Sequence, residues 1–291
     1  MLKEEHSQRR IDHSSSASQK KVPHLNFHQV TASVQQSIVK IAVIGDIHDL
    51  WDLEDNAALK HLNVDLALFV GDYGNEAVEV VRRIAAVDLP KAAVMGNHDA
   101  YYSASNKGIK NCPYDRTRED WVQLQMDLLG EAHIGFSKRE FPQFVLTIVG
   151  GRPFSWGGSK WRHGKFYRDR FDVRNFDDSV ERILDAADEA EHPTVIFLGH
   201  VGPYGLGDQP NDICGKDWGK NGGGGDYGDP DFARALALTQ EVGKRVPLVT
   251  FGRNRSFSVV TLIAGIVESI TLIWLNAHFE QISEESLYQR D

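Results

Sequence analysis

Three short polar clusters, Asp46-Ile47-His48, Gly71-Asp72 and Gly96-Asn97-His98-Asp99, recur at nearly equal steps, each just after an apolar run. Asp46 and Asp72 are 26 residues apart and Asp72 and Asn97 are 25 apart; a step of that size is about one βαβ unit. The runs 41–44, 66–70 and 92–95 are continuous and partly β-branched, as parallel strands buried on both faces are. The spacing predicts an open α/β sheet with each cluster just past the carboxyl end of a strand. That is where such sheets place their ligands.

The alternation continues beyond these strands. Helices are predicted at 51–62, 76–87, 119–129, 179–190 and 230–243, and strands at 144–149, 194–198 and 248–251. Asp178 with Glu181 offers a capping-box-like start, and Asp229-Pro230 supplies a cap followed by proline at the first helical position. The stretch 135–151 reads as a hairpin, so the sheet is mixed. Residues 1–38 form a Ser-, His- and Gln-rich extension with little apolar periodicity. Ser14, Ser15, Ser16 and Ser18 beside Arg9, Arg10, Lys20 and Lys21 resemble an organelle transit segment, against which stand the acids Glu4 and Glu5. No apolar core of a secretory signal is present there. The predicted organisation is an extension at 1–38, one large domain at 39–252 and a tail at 253–291.

Charge narrows the partners. A formal net charge of −9 argues against nucleic acid, whose phosphates need basic surfaces. A small phosphorylated substrate remains compatible, because bound cations invert a local field. Cys112 and Cys214 suggest neither a disulfide framework nor a zinc knuckle, and read as two thiols in a reducing compartment. The run Asn221-Gly222-Gly223-Gly224-Gly225-Asp226 is a loop without the strand or the lysine-serine pair of a phosphate cradle.

The chemistry lies in the strand ends. Asp46 and His48, two apart, can face one side, and Asp72 is placed to bridge two cations. Asn97 adds a neutral amide oxygen, and His200, after the predicted strand 194–198, an imidazole. This oxygen and nitrogen mixture suits Mn, Fe or Zn better than Ca or Mg. Two such cations ~3.5–4 Å apart clamp a phosphoryl group and activate a water for in-line attack. His98 is positioned to protonate the leaving oxygen and Asp99 to orient His98. Taken singly, each acid could be a cap or an Asx-turn, each glycine a tight-turn residue and His200 a structural histidine. Their joint order argues for a site.

Asp46-x-His48, Gly71-Asp72, Gly96-Asn97-His98-Asp99 and Gly199-His200 resemble the first four motifs of the calcineurin-like metallophosphoesterases. Longer stretches resemble a cyanobacterial and plant-plastid group of that family: Gly150-Gly151-Arg152-Pro153-Phe154-Ser155-Trp156, Asp212-Ile213-Cys214-Gly215-Lys216-Asp217-Trp218 and Gly225-Asp226-Tyr227-Gly228-Asp229-Pro230-Asp231. The resemblance implies a four-layer αββα sandwich with mixed sheets and a dinuclear centre that hydrolyses phosphate esters. By that likeness Asp46, His48 and Asp72 hold one divalent ion, Asp72, Asn97 and His200 the other, and His98 with Asp99 acts on the leaving group. The implied partner is a small phosphorylated molecule. The implied location is a plastid, with the cytoplasm as alternative.

One motif departs from the family. A Gly-His-x-His sequence is expected after the strand near 248–251, but Gly252 is followed by Arg253-Asn254-Arg255, and guanidinium carries no lone pair for a metal. The family's last strands are unrecognisable beyond that point, so the C-terminal strands are expected to be atypical or missing. An inactive isoform acting as a binding module is the competing reading. Within the tail, 258–275 is mostly apolar but carries Glu268, and buried strand or helix is preferred to a membrane span. His278 has no ligand-like spacing. Lys160, Arg162, Lys165, Arg168, Arg170 and Arg174 stand among aromatics; pairing with Asp169 and Asp172 is the favoured reading, with one or two facing substrate as the alternative.

Overall fold

The computed structural model describes residues 39–216 and 224–252, together with the backbone of two tail strands. Its parallel sheet is built from β1 (Val39–Ile44), β2 (Leu66–Phe69), β3 (Lys91–Ala93) and a tail strand, Ile270–Leu275, in the order tail strand, β1, β2, β3. Between these strands run α1 (Leu53–His61) and α2 (Val78–Ala85). Short helices α3 (Tyr101–Ala104) and α4 (Asn106–Lys110) and the longer α5 (Trp121–Leu129) follow. Asp52 caps α1 through the amides of Glu54 and Asp55, and Asp55 reaches back to the Asp52 amide.

The second sheet is mixed. Its strands are β4 (Lys138–Phe141), β5 (Leu146–Gly150), β6 (Thr194–Leu198), β9 (Arg245–Thr250) and β10 (Val260–Thr261), and β7 (Gly215–Lys216) with β8 (Gly225–Asp226) forms a separate small hairpin. β4 and β5 make the antiparallel hairpin expected at 135–151, whereas β5, β6 and β9 run parallel. Helices α6 (Gly164–Phe171), α7 (Phe176–Asp188) and α8 (Pro230–Glu241) complete the α-helices among the described residues. The tail, atypical in sequence, still contributes β10 against β9 and β11 (Ile270–Leu275) against β1.

Side-chain alternation along the strands produces the layers. Ala42, Ile44, Ala67 and Phe69 pack on Leu59, Val80, Val81, Ile84 and Val122 of the first helical layer. Their neighbours Ile41, Val43, Leu66 and Leu68 face Ile148, Ile196, Leu198 and Leu248 of the other sheet. Val195, Phe197 and Val249 point the opposite way, onto Ile183, Ala187, Phe232 and Ala235 of α7 and α8. Three apolar cores therefore separate four layers, helix, sheet, sheet, helix, and each fully buried Ile, Leu or Phe contributes about 1.5–3 kcal/mol.

Two helix starts differ from the sequence expectation. Asn175, not Asp178, caps α7 by accepting from the Asp178 amide, because the helix begins a turn earlier at Phe176. α8 does begin at Pro230, but the Asp229 carboxylate makes no cap bond; Arg152 and Ser155 engage it instead. Among the described residues no helix is long and apolar enough to cross a membrane. Residues 1–38, Asp217, Trp218, Gly222, Gly223, Arg253, Arg255 and His278 lie outside the described residues.

Candidate metal centre

The four predicted strand ends meet. Parallel β1, β2 and β3 carry Asp46, Asp72 and Asn97 to one edge, and β6 brings His200 to the same place from the second sheet. Amides of Asp46, His48 and Asp49 donate to the carbonyls of Gly71, Asp72 and Tyr73 at 3.1, 3.0 and 2.8 Å, locking the first two loops together. Two glycines permit that approach. A Cβ at Gly71, where φ is +95°, would lie 2.4 Å from the Gly96 nitrogen, and one at Gly96 would lie 2.3 Å from Asp72 Oδ1. These glycines are therefore required by contacts within the site and not by turn geometry alone. Asp46, His48 and Asp72 themselves adopt φ of 52°, 46° and 57°, a left-handed strain that gathers at functional loops.

The decisive geometry surrounds His200. Its Nδ1 lies 2.8 Å from the Val70 carbonyl, which only accepts, so Nδ1 carries the proton. The lone pair on Nε2 then faces Asn97 Oδ1 at 3.2 Å and Asp72 Oδ1 at 3.4 Å. Three acceptors meet where a cation is needed, in a region where His200, Asp72 and Asn97 are each no more than 5% exposed. His48 Nε2 lies 4.0 Å from Asp46 Oδ1 on the more open side. Ligand atoms of His48, Asp72 and His98 all lie within 4.8 Å of one another. The donor set thus fits divalent metal, and His98, expected beside the cluster, is part of it.

Asp99 does not orient His98. Its carboxylate accepts from the amides of Gly96 at 2.6 Å, Tyr73 at 2.8 Å and Asp72 at 3.0 Å, tying two strand-end loops together. Burial, then the charge of Asp72, raises its pKa well above the usual carboxylate value, against the pull of those amides. The group at the His98 ring is Asn75, whose Oδ1 lies 2.7 Å from Nδ1. Tyr101 stacks on that ring at 5.9 Å and His48 meets it edge-on at 5.0 Å. Burial lowers the His98 pKa, with Asp72 opposing. Asn75 gave no sequence signal beyond sitting three residues past Asp72.

Two further neighbours matter. Gly252 lies at the centre: a Cβ there would be 3.2 Å from both Asp46 Oδ2 and the His200 carbonyl. Lys216 is half-buried on β7, and burial pushes its ammonium down to about 8 against the opposing charges of Asp72, Asp229 and Asp46. In the basic and aromatic stretch, Arg168 and Arg174 pair with Asp169 and Asp172 at 3.3 and 2.5 Å, and Arg170 binds Asp120 at 2.7 Å. Pairing is what the structure records there.

A sequence profile of the calcineurin-like phosphoesterases matches residues 39–244, and the chain belongs to that family. Membership points to metal-dependent phosphoester hydrolysis, and His48, Asp72 and His98 form a group able to hold a metal ion. No curated protein sequence matches the chain. A solved crystal structure aligns over 78% of this chain and 90% of its own, at 13% identity and a TM-score of 0.43.

Proposed function

We propose that this protein hydrolyses a small phosphate ester at a dinuclear centre held by Asp46, His48, Asp72, Asn97 and His200. The observation that carries the reading is the His200 lone pair set against two oxygen acceptors, a buried arrangement that a proton or a metal ion must complete. Bound Mn, Fe or Zn supplies Lewis acidity and a nucleophilic water at neutral pH. The chain's own residues do the rest. Val70 fixes the His200 tautomer, and Asp99 clamps the loops that carry Asp72 and Asn97. Asn75 holds His98 by Nδ1, leaving Nε2 to bind the phosphoryl group or give a proton to the leaving oxygen. The Ser- and Arg-containing stretch within residues 1–38 supports a plastid location, with the cytoplasm as the alternative.

The test uses the full chain loaded with manganese, metal analysis and an aryl phosphate. The expected result is metal uptake with metal-dependent hydrolysis, both lowered by more than about 100-fold in Asp72→Asn, since losing supporting groups alone costs ~10–100-fold. Metal uptake without turnover would favour the inactive binding form, which the arginines after Gly252 support. Absence of metal uptake would end the proposal.

A further inference from the structure

We propose that Lys216 receives the phosphoryl group of the substrate and makes the site prefer phosphate monoesters to diesters; this rests on the phosphoesterase reading above. The β7–β8 hairpin, in which Lys216 pairs with Gly225, is held against the loop that delivers His200. Cys214 Sγ lies 3.5 Å from the Pro203 carbonyl and would be 2.8 Å from a Cβ at Gly202, two residues past His200. Tyr227 donates its amide to the Cys214 carbonyl at 2.8 Å and accepts from Gly158 at 2.8 Å, which anchors the other arm. Lys216 follows Cys214 by two residues on this fixed hairpin. Its Nζ lies 5.1 Å from the centre of the Tyr227 ring, and its ammonium feels the charge of Asp72, Asp229 and Asp46. The aromatic face and half-burial restrict the side chain while its head lies in the field of Asp72 and Asp46 of the proposed metal site and of Asp229 beside Arg152.

The chemistry selects the ligand. Asp46, Asp72, Asn97 and His200 direct their lone pairs at cations, so hydrogen-bond donors to the phosphoryl oxygens must come from other side chains. An ammonium is a compact point charge with three donors. A monoester presents three unesterified oxygens and a charge of about −1.5 to −2 at neutral pH. A diester presents two such oxygens and one negative charge. A fixed cation beside the centre therefore discriminates by charge.

The experiment uses the manganese-loaded full chain, with inorganic phosphate and dimethyl phosphate as calorimetric probes and an aryl monoester with its bis-aryl diester as substrates. Lys216→Met, which keeps the apolar stem over Tyr227, should retain manganese and weaken inorganic phosphate by about 10- to 100-fold, the span of a charge-assisted hydrogen bond. Its monoester KM should rise by a similar factor, its diester KM by less, and Lys216→Arg should recover part of the loss. The wild type should bind inorganic phosphate at least about tenfold more tightly than dimethyl phosphate, a comparison that stands even if Lys216→Met fails to fold. Equal affinity for the two anions, or unchanged phosphate binding in Lys216→Met, would overturn the inference and leave the phosphoesterase reading intact. A wild type that takes up no manganese overturns both.

Discussion

Two buried polar clusters in this molecule are built on opposite principles. Around Arg152 both buried carboxylates find donors: Nε donates to Asp231 at 2.8 Å and Nη2 to Asp229 at 2.6 Å. Ser155 donates to Asp229 at 2.7 Å and Ser179 to Asp231, while Trp161, Phe176 and Tyr167 cover the guanidinium at 5.0, 5.4 and 5.6 Å. Burial pushes the Arg152 pKa down, but Asp229 and Asp231 outweigh it and the group stays charged. Around His200, by contrast, acceptors face acceptors. The first cluster is complete as folded and joins the 150–156 and 225–231 stretches. The second is complete only with a cation. Burial of charge by itself does not mark a functional site; burial with donors and acceptors out of balance does.

The comparison breaks most readily at Arg152. Arg152→Met strands Asp229 and Asp231 without their cation and should cost about 3–5 kcal/mol in denaturant unfolding. A loss under about 1 kcal/mol would mean that the network is no more self-contained than the metal site. Next in size is half-buried His133, whose Nε2 atom is itself buried and lacks a partner among the described residues, and whose pKa burial holds down to about 4. The unfolded chain takes up a proton near pH 6.5 and the folded chain only near pH 4, so protons favour unfolding in that window. The full stability present above pH 6.5 should fall by up to about 3 kcal/mol towards pH 4 on this account. His133→Leu should flatten that part of the profile, and parallel pH slopes for the two proteins would refute the assignment. The smallest effect is expected at Asn75. Asn75→Ala frees the His98 ring and should lower kcat for an aryl phosphate by about tenfold with metal content unchanged. An equal loss of metal would make Asn75 part of ion binding instead.

How much of this was legible in the chain differs residue by residue. The strand at 194–198 was read at its bounds and the helix predicted at 230–243 spans Pro230–Glu241, because a short apolar run and a proline at the helix start are local signals. The strand-end positions of Asp46, His48, Asp72, Asn97 and His200 were legible as well, since each follows a strand whose apolar run announces it. The cap of α7 was missed: Asn175 and Asp178 are both good capping residues, and only packing of the preceding turn chose between them.

By itself the sequence determined which segments become buried strands and which polar groups stand at their ends, because periodicity and turn chemistry act within a few residues. Only the tertiary structure decided that Asp99 clamps loops, that Asn75 holds His98, and that Arg152 bridges two acids 77 and 79 residues away. It also set Lys216 beside Tyr227 and His200 against Val70, 130 residues earlier. The physical reason is that hydrogen-bond direction and Coulomb attraction depend on distances of a few ångströms, and folding sets those distances between segments whose separation along the chain carries no trace of them.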